Sequence, residues 1–113
     1  MTIAEVSRKY GLSIDTLRYY ERVGAIPPVP RNKSGNREYG EEQCRFIELV
    51  RCMRAAGIPV ETLAEYVALC GQGEATAPKR KQLLLRQREL LSARIEEMQL
   101  TLQRLETKIA LYD

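Results

Sequence analysis

The stretch Thr16-Leu17-Arg18-Tyr19-Tyr20-Glu21-Arg22-Val23-Gly24 decides how this chain is read. It packs two arginines and two adjacent aromatics into little more than two helical turns, with leucine and valine at helical spacing behind them. Ahead of it, Thr2-Ile3-Ala4-Glu5 has the form of a capping box, and Ile3, Val6 and Tyr10 recur with helical period. Residues 3–10 are therefore expected as a first helix, closed by Gly11. Ser13 is placed to cap a second helix that ends at Gly24, with Asp15 favourable in its first turn. Ile14, Leu17 and Val23 are expected to face the core, and Thr16, Arg18 and Tyr19 to point away. Tyr19 and Tyr20 lie about 100° apart on a helix, so they cannot share one environment; one of them is expected half buried.

Behind that helix, Ile26-Pro27-Pro28-Val29-Pro30 cannot be helical, because proline lacks the amide donor and restrains the residue before it. It reads as an extended lead into a hairpin, with Ser34-Gly35-Asn36 at the tip and Arg37-Glu38-Tyr39 as the returning strand. Helix, tight turn, helix, then a basic hairpin is the layout of a winged helix-turn-helix head. A third helix starts after Gly40 with Glu41 and Glu42 near its positive end, carries a stripe of Phe46, Leu49, Val50 and Met53, and stops at Gly57. A fourth follows Pro59, with Val60, Leu63, Tyr66 and Val67 inward, and ends at the pair Gly71 and Gly73.

From Pro78 the pattern changes. Leu84, Leu91, Ile95, Met98, Leu102, Leu105 and Ile109 form one stripe, stepping by three and four residues after Leu91. Charged residues surround it, as in a coiled-coil seam. Arg88 interrupts the stripe between Leu84 and Leu91. A helix lying on its own domain is the plainer alternative, and the narrowness and length of the stripe favour the seam. The fold expected is mainly α: a winged helix-turn-helix domain at 1–70, a linker at 71–77 and a coiled-coil dimerisation helix at 78–113. About 70 residues is near the size at which core burial is marginal, so a partner chain is expected to add stability.

Composition narrows the function. The net charge is only +3, but five cations (Arg18, Arg22, Arg31, Lys33, Arg37) face one acid, Glu21, between Arg18 and Arg37. Cations gathered in this way neutralise phosphates and release counterions; a solvated loop is the plainer reading. No apolar run is long enough to span a membrane, and the N-terminal residues do not form a secretory signal. Three cysteines, Cys44, Cys52 and Cys70, without framework spacing fit free thiols in a reducing, cytoplasmic compartment. The chain has no histidine. The commonest general base and metal ligand is thus missing, and there is no glycine-rich phosphate loop or paired carboxylate site. No enzymatic activity, catalytic residue, cofactor or metal is expected.

The ordered set residues 3–6, Gly11-Leu12, residues 16–24, Pro28-x-x-Arg31 and Gly35-x-Arg37-x-Tyr39 resembles the MerR family of bacterial transcription regulators. The likeness covers the first 70 residues or so, and the C-terminal third matches in character. It implies a homodimer joined by an antiparallel coiled coil, with each head on half of a pseudo-palindromic promoter. It also implies control by bending and untwisting double-stranded DNA, so that RNA polymerase is reached through the DNA. Carried over residue by residue, Arg18 would reach base edges, Tyr20 with Tyr19 would support the backbone contact, and Arg31, Arg37 and Tyr39 would hold phosphates. Ser13, Thr16 and Lys33 complete the implied DNA-facing set. Asn36 departs from the aromatic many relatives carry there.

Metal-sensing relatives use a cysteine pair after the long helix, which this sequence lacks. Cys44 and Cys52 sit on one expected helix roughly 12 Å apart, too far to chelate one ion. The segment at residues 50–57 resembles thiol-dependent relatives that answer aldehydes and other electrophiles, which implies Cys52 as the sensing residue. Arg51 and Arg54 would support its thiolate if they approach it. Cys44, in the first turn of its helix, is the rival on local physics, and a packing role is the plain alternative for either. An architectural DNA-binding or coiled-coil adaptor protein without a thiol switch is the competing class.

Overall fold

A computed structural model describes all residues, 1–113. The first two helices start and stop where the local chemistry requires. The first, α1 (Ile3–Tyr10), opens on a reciprocal box: the Glu5 amide donates to Thr2 Oγ1 at 3.1 Å and the Thr2 amide to Glu5 Oε1 at 2.9 Å. The recognition-type helix α2 (Ile14–Val23) is capped by Ser13, whose Oγ accepts the Thr16 amide at 3.0 Å. It stops at Gly24, whose φ of 84° belongs to the left-handed region, and the Gly24 amide closes back on the Glu21 and Tyr20 carbonyls. Two more helices follow, α3 (Glu41–Ala55) and α4 (Val60–Gly71).

Val6, Leu17, Ile26, Tyr39, Ile47 and Val50 are the largest fully buried side chains, joined in one core by Tyr10, Tyr20, Val29, Ile58 and Leu63. Two expectations are corrected here. The buried face of α3 runs through Gln43, Ile47 and Val50, while Phe46 and Met53 are half buried at its edge and Leu49 is half exposed outside the core cluster. On α2 the inward pair is Leu17 and Tyr20, with Val23 packed at the margin and Ile14 only half buried. The proline-rich lead is itself core: Ala25, Ile26 and Val29 are all buried.

The wing forms, but without strands. A single antiparallel bridge joins Arg31 and Arg37, so the returning strand expected at residues 37–39 is replaced by isolated pairings. Pro30 offers only its carbonyl, which accepts the Glu38 amide at 2.8 Å. The tip is an Asn-centred turn in which Asn32 Oδ1 accepts the amides of Ser34 at 2.9 Å and Asn36 at 3.1 Å. Gly35 takes a φ of 81° there, which a side chain would resist. At the wing's base the Tyr39 amide donates to the Met1 carbonyl, and the Met1 ammonium donates to the Tyr39 carbonyl, both at 2.8 Å.

The chain divides into two compact units, Met1–Arg80 and Lys81–Asp113. Within the first, the stretch expected as a linker is locally ordered. After α4 runs through Gly71, one 3-10 turn occupies Glu74–Thr76, and buried Thr76 donates its hydroxyl toward the Leu69 carbonyl at 2.7 Å. Arg80 Nε donates to the same hydroxyl at 3.0 Å. The last helix, α5 (Ala77–Ala110), buries none of its residues. Ile95, Met98, Leu102, Leu105 and Ile109 stand between 47% and 68% exposed along its second-unit part.

Candidate nucleic-acid interface

The outward face of α2 presents Arg18, Tyr19 and Arg22 to solvent. The Arg22 guanidinium lies 5.4 Å from the Tyr19 ring centroid, a cation–π arrangement that holds both side chains up from the helix. Tyr19 and Tyr20 divide as helical geometry demands: Tyr19 is 38% exposed and Tyr20 only 7%. Tyr20, expected at the DNA backbone, is a core residue.

The wing is fastened to α2 by Glu21. Its Oε1 accepts from Arg37 Nε at 2.7 Å, and its Oε2 accepts the Val29 amide at 3.1 Å. Between helix and wing lies a cleft of about 420 Å³ lined by Arg18, Glu21, Arg22, Pro28 and Arg37. Three guanidinium groups around one carboxylate leave this cleft net positive, suited to a phosphate oxygen. Arg31 is exposed and curls over the wing tip, where its Nη1 donates to the Gly35 carbonyl at 2.8 Å. Lys33 is exposed in the same turn.

Tyr39 is corrected. It was expected to hold a phosphate, but it is 1% exposed, and its hydroxyl is enclosed without a hydrogen-bond partner. Burial pushes its phenol pKa up, opposed by the nearby Arg37 charge. Ser13 and Thr16 are engaged with each other, the Ser13 hydroxyl donating to Thr16 Oγ1 at 2.8 Å.

The cysteines also sort by environment, and all are free thiols. Cys52 is exposed on α3. The two arginines expected to support it are held elsewhere: Arg51 Nη1 donates to the Tyr10 carbonyl at 3.0 Å and Arg54 Nη1 to the Ile58 carbonyl at 2.9 Å. Cys44 is half buried against the core beside Tyr10, whose phenol pKa is pushed up to about 12, chiefly by burial and then by Cys44. Cys70 is half buried in the wall of a groove of about 560 Å³ between α2, α3 and α4, with Val23, Ile26, Phe46 and Val67. No three acidic, cysteine or histidine side chains are grouped as a metal site, and no helix is long and apolar enough to cross a membrane.

Glu21 was missed as a site residue. Its partner lies 16 positions away, a separation that no local pattern reads. The available signal was a lone acid inside a run of cations.

This head, with its exposed basic helix and adjoining basic wing, defines a helix-turn-helix DNA-binding regulator. The chain belongs to the MerR family: residues 1–69 match the MerR HTH family regulatory protein model, and residues 45–108 match the MerR DNA-binding model. It is 50% identical over 91 residues to the HTH-type transcriptional regulator AdhR of Bacillus subtilis. That match covers 80% of this chain and 65% of the relative, so this chain spans just under two thirds of that regulator's length. A crystal structure assigned to the MerR family of transcriptional regulators, from Listeria monocytogenes, superposes with a TM-score of 0.97 at 50% identity, over 100% of this chain and 86% of that one. HiNmlR, a MerR family regulator lacking the sensor domain and solved bound to promoter DNA, gives a TM-score of 0.89 at 29% identity, over 98% of this chain and 88% of its own. The relatives are named transcriptional regulators, not enzymes.

Proposed function

We propose that this chain acts in the cytoplasm as a homodimeric regulator that reads a promoter inverted repeat and sets the DNA's bend and twist. The observation that carries this is the exposed Arg18–Tyr19–Arg22 face of α2 beside a basic wing. Arg18 reads base edges in the major groove, Tyr19 and Arg22 flank it, and Arg31, Lys33 and Arg37 meet phosphates. Ser13 and Thr16 position the start of α2 near the backbone. The functional division is a head at 1–70, a connection at 71–77 and a dimerisation helix at 78–113. The unburied stripe Leu84, Leu91, Ile95, Met98, Leu102, Leu105 and Ile109 pairs with a second copy. HiNmlR, a family member solved on promoter DNA, supports the DNA reading.

Cys52 is the sensing thiol in this proposal, because it is the exposed cysteine and adds reversibly to an aldehyde carbonyl as a hemithioacetal. Cys44 is the second candidate. The adduct adds bulk on α3 at the residue next to Arg51, which ties α3 to the end of α1.

The test is transcription in vitro from the protein's own promoter region, with wild type and Cys52→Ser, with and without formaldehyde. A response in wild type that is lost in a Cys52→Ser protein still bound to DNA supports the switch. Equal responses in both move the sensor to Cys44. Bound DNA with no response in either removes the electrophile reading and leaves the regulator. Salt-sensitive binding without sequence preference would instead favour an architectural protein.

A further inference from the structure

Glu21 is an acid on a face otherwise built to meet phosphates. On charge alone it opposes DNA, since every carboxylate there offsets a cation that would release counterions. Yet both of its oxygens are used, and on two different segments. Oε1 receives Arg37 Nε from the returning arm of the wing, and Oε2 receives the Val29 amide from the outgoing arm. Val29 is buried, and the next residue, Pro30, accepts the Glu38 amide across the wing root. One carboxylate on α2 thus grips both arms at their base. The bond to Arg37 goes to Nε, which leaves its terminal nitrogens without a bond to Glu21, and Arg37 lines the cleft it shares with Arg18 and Arg22.

Apart from the Tyr39–Met1 pairing at its base, the wing is tied to the head by this carboxylate. It holds one bridge and no ladder, and its tip is exposed. A charge-assisted pair with each partner near 20% exposed is stronger than a fully solvated one.

We propose that Glu21 is a positioning residue for DNA binding, locking the wing to α2 so that Arg18 and Arg37 meet the duplex at one fixed separation. This rests on the promoter-reading function proposed above. It makes an unusual forecast. Removing a negative charge from a DNA-binding face ought to tighten binding, whereas loosening the wing ought to weaken specific binding alone.

The experiment uses the full chain and two probes: the inverted repeat that wild type enriches from a randomised duplex library, and an unselected duplex of equal length. Affinity for both is measured over a range of salt for wild type and Glu21→Gln. Glutamine still accepts the Val29 amide, so the loop keeps that bond. The expected result is a loss of about tenfold on the selected repeat, the size of one charge-assisted hydrogen bond, with unselected binding equal or tighter. Glu21→Gln binding the repeat as tightly as wild type, or tighter, overturns the proposal. So does an equal loss on both probes. If Glu21→Gln melts before it can be assayed, Glu21→Asp decides, because it keeps the negative charge but is one methylene too short to hold both Arg37 Nε and the Val29 amide. The same fall in the ratio of selected to unselected affinity supports the strut, and an unchanged ratio overturns it. Failure of wild type to enrich any sequence removes the promoter reading itself, and the strut with it.

Discussion

Two buried tyrosines behave in ways the sequence does not announce. Tyr39 encloses a hydroxyl that no protein group partners, and an orphaned buried donor costs roughly 1–3 kcal/mol. Tyr39→Phe is expected to raise stability by about 1 kcal/mol in urea denaturation, with DNA affinity essentially unchanged because the hydroxyl is not presented at the surface. A loss of DNA affinity would return Tyr39 to the phosphate-contacting set. Tyr10 has the opposite problem. Its hydroxyl points to Glu48 at 3.4 Å, the Arg51 guanidinium lies 5.9 Å from its ring centroid, and its pKa is raised from 10.0 to about 12. A raised folded pKa favours the protonated form, so this stabilisation is complete below pH 10 and is lost as pH rises toward about 12. Thermal melting should therefore fall across that alkaline window, and less steeply in Tyr10→Phe.

Helix ends are where element-scale predictions belong. The Glu5 carboxyl is held below the usual carboxylate range by hydrogen bonds from Thr2, its backbone first. A lowered folded pKa gives stability that is present above the ordinary carboxylate value and lost as pH falls through the lowered one. Melting temperature should drop on acidification, with a shallower slope in Glu5→Gln; equal slopes would dismiss the box as a pH-dependent element. Ser13 caps α2, and its side chain serves both the amide and the hydroxyl of Thr16. Ser13→Ala should cost about 1 kcal/mol of stability in chemical denaturation. Part of the effect should reappear as weaker DNA binding, because the start of α2 frays.

For the whole molecule, the decisive quantity is the unburied stripe of α5. Met98 at 68% and Ile109 at 62% exposed would stay wet in a monomer, and a patch of that kind calls for a partner. Ile95→Glu combined with Leu102→Glu should convert the dimer to monomer in sedimentation analysis. Linking two heads on one inverted repeat multiplies affinity by roughly 10²–10⁴, so the monomer should bind that repeat at least about a hundredfold more weakly. A monomeric wild type at assay concentration would refute the seam.

The sequence by itself determined whatever depends on neighbours along the chain. The capping box at Thr2 and Glu5, the Ser13 cap, the stop at Gly24, the prolines that bar helix at residues 27–30 and the 3–4 spacing of α5 are all short-range, and each acts through hydrogen bonds or period within a few residues. The exposed cations of the α2 face and the wing could be read for the same reason. The tertiary structure decided everything that depends on which surfaces meet. It turned α3 so that Ile47 rather than Leu49 is buried, sent Tyr20 and Tyr39 inward, and drew Arg51 to Tyr10. Wing and recognition helix were joined through Glu21 and Arg37, 16 residues apart. Their pairing rests on distances fixed only when α1, α3 and the proline-rich lead have packed around Leu17 and Ile26. Helical period names a face, but the partner packed against it sets which residue of that face goes deepest.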